Sequence, residues 1–92
     1  MGIKHEQLLE RGYKRRYDNM REAEYEKMLS SRVMLVATYY KGADSWRLML
    51  MAQNNPENKE RPIFSEVKSC KAKSFEEAYN ETLGWLHANK LS

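Results

Sequence analysis

The first third of the chain places apolar residues at helical intervals. Residues 4–29 are rich in Glu, Lys, Arg, Leu and Met and contain no proline. Apolar residues recur every three or four positions, at Leu9, Tyr13, Tyr17 and Met20. This spacing lines one face of a helix, and the composition favours helix formation. We therefore predict a helix over residues 4–29, with either a bend after Asp18 or a final part that packs differently.

The middle of the chain changes to a strand pattern. Residues 33–40 are mostly β-branched, aromatic or otherwise apolar, on both faces, which is typical of a central strand. Residues 46–52 follow, with three apolar side chains on one face: Trp46, Leu48 and Leu50. The turn-forming residues 41–45 lie between the two strands. This pattern predicts a β-hairpin.

A third strand is expected after a long loop. Residues 53–62 contain two prolines and three asparagines, which favour an exposed loop, and a strand pattern returns from Ile63 to about Ser69. If the Trp46 side of the hairpin faces the core, alternation places Met49 and Met51 beside Arg47 on the other side of the sheet. That side is then open for binding.

The sequence also marks the start of a second helix. Ser74 and Glu77 have the spacing of a capping box, in which the serine hydroxyl accepts a hydrogen bond from a first-turn amide. The residues expected to face the core share one side of this helix: Phe75, Ala78, Tyr79, Thr82, Leu83 and Leu86. Trp85 lies off the middle of that side, so we regard it as a candidate for contact with a partner.

These elements predict one α+β domain over residues 1–92. Its order is a helix, three antiparallel strands and a helix. Antiparallel sheets commonly bury one face and leave the other in water. We therefore expect both helices to pack on one face of a three-stranded sheet.

Composition narrows the class of protein. Of 92 residues, 41% are hydrophobic and 32% charged, which is enough apolar material for one small core. No apolar run approaches the roughly 20 residues that a membrane-spanning helix needs, and no signal-peptide pattern opens the chain. Cys70 is the single cysteine, so an internal disulfide is excluded. We expect a cytoplasmic protein.

The sequence contains no catalytic or metal-binding motif. The four glycines are isolated, so no glycine-rich phosphate loop is formed. Cys70, His5 and His87 are scattered and lack the spacing of metal ligands or of a local nucleophile motif. We therefore expect a protein that is not an enzyme and that needs no cofactor or metal.

Basic residues form two candidate contact regions. The net charge is +3, and residues 32–73 carry eight basic against four acidic groups. One cluster precedes the second helix, where the helix dipole also attracts anions: Lys59, Arg61, Lys68, Lys71 and Lys73. The other includes Arg15 and Arg16 between Tyr13 and Tyr17, which fits RNA contact or a solvated helix face.

Two families are similar to this arrangement. The order helix–strand–strand–strand–helix resembles the double-stranded RNA-binding domain, and Lys68, Lys71 and Lys73 lie where that family places lysines before its second helix. A compact single domain of this size with a basic strip also looks like the small inhibitors that phages deploy against bacterial CRISPR complexes. The second resemblance implies action in the host cell cytoplasm.

The leading hypothesis is therefore a non-enzymatic inhibitor that docks on a protein or ribonucleoprotein partner of the CRISPR-effector type through its basic surface. Two alternatives stay open. One is direct RNA binding, and the other is a homo-oligomeric structural protein that uses an apolar sheet face containing Met49 and Met51.

Overall fold

The protein has an α+β fold in which two helices accompany a five-stranded sheet. A computed structural model describes residues 5–54, 57 and 60–89. The elements are α1 (His5–Glu10), β1 (Lys14–Asp18), β2 (Glu22–Met28), β3 (Val33–Tyr40), β4 (Ser45–Gln53), β5 (Phe64–Ala72) and α2 (Phe75–Ala88). All strand pairs are antiparallel, and the strands lie side by side in chain order. Strands β1 and β5 are therefore the sheet edges.

The predicted long N-terminal helix and the three-stranded sheet are wrong. Helix α1 ends at Glu10, and the hairpin β1–β2 follows in place of the rest of the predicted helix. Gly12 has a φ of 94°, a left-handed conformation that glycine adopts without steric cost, and it ends the helix. Asn19 then closes the hairpin, because its side-chain oxygen accepts from the amides of Arg21 at 2.8 Å and Glu22 at 2.9 Å.

Strand β2 forms because its side chains alternate between core and solvent. Ala23 and Tyr25 are fully buried, whereas Glu24 and Glu26 are only partly covered on the opposite face. A helix would have spread these residues around its axis, but a strand separates the apolar from the acidic ones. Burial of Tyr25 and Ala23 therefore overrides the helical propensity of glutamate and lysine.

The middle strands agree with the sequence pattern. Strands β3 and β4 pair over their whole length, from Val33 opposite Ala52 to Tyr40 opposite Ser45. Strand β5 begins one residue later than expected and continues to Ala72. A register shift opposite Leu50 and Met51 leaves an extra residue in β5, which is a β-bulge.

Helix α2 begins at the predicted cap. The Ser74 hydroxyl accepts from the Glu77 amide at 3.2 Å. Its buried side chains include Phe75, whose ring meets the Trp46 ring edge-on with centroids 5.2 Å apart. The helix packs on β4 and β5 and thereby covers one face of the sheet. Within the described residues, none of the helices has the length and apolar character needed to cross a membrane.

The two faces of the sheet have different roles. The first face forms the core with α2 and with Leu8 of α1. The second face lies opposite the helices, and we call it the open face. Strand register assigns it these residues: Lys14, Tyr17, Glu22, Glu24, Glu26, Met28, Met34, Val36, Thr38, Tyr40, Ser45, Arg47, Met49, Met51, Gln53, Phe64, Glu66, Ser69 and Lys71.

The hairpin assignment can be tested at Ala23. Because Ala23 is completely buried against the core, Ala23→Leu should overpack it and lower the free energy of unfolding by about 1–3 kcal/mol. The matched control is Met20→Leu, at a side chain that is 95% exposed in the β1–β2 turn, which should change it by less than about 0.5 kcal/mol. Urea unfolding measures both. Equal stability of the two variants would contradict the hairpin.

Candidate functional site

The open face is ordered into rows that run across the strands. One polar row joins Glu24, Thr38, Arg47 and Lys71, each directly opposite the next in the ladder. The next row joins Glu26, Val36, Met49 and Ser69, and the third joins Met28, Met34, Met51 and Glu66. The face is thus polar near the β3–β4 turn and apolar near the β2–β3 turn.

The apolar end is a patch of four methionines around Val36, which we call the methionine patch: Met28, Met34, Val36, Met49 and Met51. Val36 is only 3% exposed although it faces away from the helices, because it lies in the central strand between long side chains. Met28 at the rim is 49% exposed. Thioether side chains are flexible and polarizable, so such a patch adapts to the shape of a partner surface.

The β2 side of the open face is acidic but partly neutralised. Arg16 occupies the bulge of β1 and lies 3.5 Å from Glu24 and 3.8 Å from Glu26. The Thr38 hydroxyl donates to Glu24 at 3.4 Å, and Thr38 as a whole is only 4% exposed. These contacts keep Glu24 and Glu26 directed along the face.

The β4–β5 side is basic and surrounds Tyr40. The ammonium group of Lys71 lies 5.9 Å from the centroid of the Tyr40 ring, a cation–π distance. Arg47 pairs with Glu66 at 3.1 Å. The pKa of Arg47 is raised, chiefly by its hydrogen bond to Tyr40 and also by Glu66, so its guanidinium stays charged. This side therefore presents fixed positive charge.

This layout has the anatomy of a protein interface. Protein interfaces combine an apolar centre, in which methionine and arginine are enriched, with a polar rim. The open face has such a centre in the methionine patch and a rim of both signs, with Arg16 and Arg47 each paired to glutamate. The arrangement is suited to another protein surface.

The structure separates the members of the basic cluster predicted before α2, which comprises Lys59, Arg61, Lys68, Lys71 and Lys73. Lys71 lies on the open face, whereas Lys68 is opposite Leu50 and so faces the helix side. Lys73 lies beyond β5, where its ammonium donates to the Ala43 carbonyl at 3.2 Å. Arg61 is exposed ahead of β5, and Lys59 lies outside the described residues. Among the described residues of this cluster, Lys71 alone is placed on the open face by the strand register.

The remaining predicted contact residues also divide between the faces. Arg15 is opposite Tyr25 on the helix side and lies 3.7 Å from Asp18, whereas its neighbour Arg16 reaches the glutamates of the open face. Trp85 is half-buried and packs against the core. The structure therefore places Arg16 and Lys71 on the open face, and the other described candidates lie elsewhere.

The N-terminal end of α2 is occupied by a side chain from elsewhere in the chain. Arg11 forms an ion pair with Glu76 in the first turn of the helix. Its guanidinium also lies 4.9 Å from the Phe75 ring centroid and 4.7 Å from that of Tyr79. This contact holds the end of α1 against α2. The acidic first turn, together with Arg11, already complements the helix terminus.

Several open-face residues were missed by the sequence reasoning. Met28, Met34 and Glu24 join Met49 and Arg47 only because β2 pairs with β3. The signal for β2 is present, since Ala23 and Tyr25 alternate with three glutamates. The glutamate, lysine and arginine residues around this segment favour a helix, so the alternation typical of a strand was not recognised.

The lone thiol is held in its protonated form. Cys70 is buried, and its sulfur donates a hydrogen bond to the Glu81 carboxylate. Burial, followed by the neighbouring carboxylate, raises the pKa of Cys70 to about 11. A thiol with this pKa has almost no thiolate at neutral pH, and the thiolate is the nucleophilic form. Within the described residues, no cluster of three or more potential ligands forms a metal site.

Comparison of the chain with protein-family models, curated proteins and solved structures yields no match.

The Cys70 environment predicts slow alkylation. At pH 8, iodoacetamide should modify folded Cys70 about a hundredfold or more slowly than the unfolded chain, as mass spectrometry can measure. The raised pKa also means that the folded state holds this proton more tightly, so stability falls as the pH rises from the ordinary thiol range towards 11. Glu81→Gln should speed labelling. Equal rates in folded and unfolded protein would contradict this environment.

Proposed function

We propose that this chain is a binding protein that docks on a protein or ribonucleoprotein partner through the open face and acts by covering the partner's surface, as an inhibitor does. The observation that supports the proposal is the methionine patch, which lies between charged side chains on the sheet face opposite the helices. Transfer of this patch from water into a partner's surface is favourable. The charged rim then fixes the orientation of docking.

The proposal places the basic contacts differently from a continuous strip before α2. Lys71 and Arg47 act at one side of the docking surface, and Glu24 and Glu26 act at the other. A partner should therefore present both signs of charge around an apolar centre. Direct RNA binding is less favoured, because the glutamates of the open face repel phosphate and neutralise Arg16.

The test compares two variants with equal starting exposure. Met28 on the open face and Leu9 on α1 are each 49% exposed, so Met28→Glu and Leu9→Glu should both fold. A carboxylate at the docking surface remains without a partner when the complex forms, so Met28→Glu should weaken binding about tenfold or more. Leu9→Glu should bind as the unchanged protein does.

Affinity capture from a lysate of the expressing cell, with quantitative mass spectrometry, provides the measurement. A protein retained by the unchanged chain and by Leu9→Glu, but lost from Met28→Glu, supports the proposal. Retention of the same proteins by both variants would contradict it. Binding of naked RNA with an affinity that falls steeply as salt increases would instead favour direct RNA recognition.

A further inference from the structure

The open face is self-complementary in both charge and apolarity. Strand β3 divides it into two sides. The β1–β2 side carries Glu22, Glu24 and Glu26 with Lys14 opposite Glu26, and the β4–β5 side carries Arg47 and Lys71 with one acid, Glu66. Arg16, from the adjoining strand, lies within ion-pair distance of two of the three β2 glutamates. The first side therefore has three acids against two cations and the second two cations against one acid, so the two sides have opposite net charge.

We infer that the occupant of the open face in the free protein is a second copy of this chain, packed face to face about a two-fold axis parallel to β3. Such an axis exchanges β2 with β4 and β1 with β5, so Glu24 of one copy lies over Arg47 of the other, and Lys71 lies over Tyr17. It also keeps each row in place along the strands, so Met28 lies over Met51 and Met34 over Met34, while Met49 lies over Glu26. The sheets pack in the aligned class of sandwich geometry.

The other symmetric arrangement is unfavourable. A two-fold axis across the strands places β2 of one copy over β2 of the other, so Glu24 and Glu26 face further glutamates. It also reverses the rows, so the methionine patch lies over the polar row that contains Thr38. Like charges in contact and buried polar groups without partners both cost free energy. The charge and apolar patterns thus select one axis.

The sheet edges do not offer an easier contact between copies. Strand β1 has a bulge at Arg16, and β5 has one at Val67. Bulges disturb the hydrogen-bond ladder and twist an edge away from regular pairing, and lysine and arginine along β1 further oppose it. Association through the face therefore remains the favoured route.

The size of the face predicts a weak dimer. Strand spacing of about 4.8 Å and a rise of about 3.3 Å per residue give a face of about 20 by 25 Å, or about 1,000 Å² for two copies. Stable specific interfaces bury about 1,200–2,000 Å². The dimer should therefore form only at high concentration and separate when a partner competes for the same surface. The inference rests on the proposed function, because both use the open face as the contact surface.

The experiment is a charge exchange followed by sedimentation velocity. In the inferred dimer, Glu24→Lys places cations against Arg47 twice, and Arg47→Glu places acids against Glu24 twice. Each variant alone should dimerise about tenfold or more weakly than the unchanged chain. An equimolar mixture should recover association, because each changed side then faces its complement. Lys68→Glu, on the helix side, should dimerise normally.

Three results would each overturn the inferred dimer. A monomer at every concentration up to about 1 mM, the upper end of weak association, would overturn it. So would variants that dimerise unchanged or a mixture that does not recover. If Glu24→Lys fails a thermal unfolding control, Glu24→Gln and Arg47→Gln replace the pair, and each must weaken the dimer. A monomer whose Met28→Glu variant still loses a captured protein would leave the proposed function standing while removing the dimer.

Discussion

The packing of α2 on one face of the sheet is the contact on which the rest of the structure depends. It is centred on Phe75 and Trp46, whose rings meet edge-on, and it fixes which side of β4 points inward. Because side chains in a strand alternate, the choice made at Trp46 decides the position of Arg47 and, through the strand ladder, of the residues opposite it. Burial of the face that packs against α2 therefore determines which residues lie on the open face.

This constraint explains why charged and apolar residues coexist on the open face. Val36 and Thr38 are buried although no helix lies over them, because neighbouring strands place long side chains on either side. Arg16 and Arg47 form ion pairs with glutamates of that face. Exposed pairs of this kind contribute little stability, but they orient charge around the methionine patch. Orientation of charge is the property that a docking surface requires.

The sequence pattern predicts the parts of this fold that depend on local chemistry. The cap at Ser74 needs only neighbouring residues, and the β3–β4 hairpin follows from apolar runs separated by turn residues. The β1–β2 hairpin was missed because glutamate, lysine and arginine favour helices, while the burial that reverses this preference comes from distant residues around Tyr25. Met49 could be assigned to an open face from alternation alone. Its neighbours across the sheet could not, because their pairing depends on β2.

We infer that the open face is the surface at which this protein is covered, first by its own copy. The most direct test is a methyl spectrum of the chain labelled with ¹³C at its methionine methyl groups, recorded as the protein concentration rises. Dimerisation through the open face should shift the methyl signals of Met28, Met34, Met49 and Met51, with no shift for Met20, which is 95% exposed outside the patch. A shift at Met20 with constant positions for the other four would contradict it.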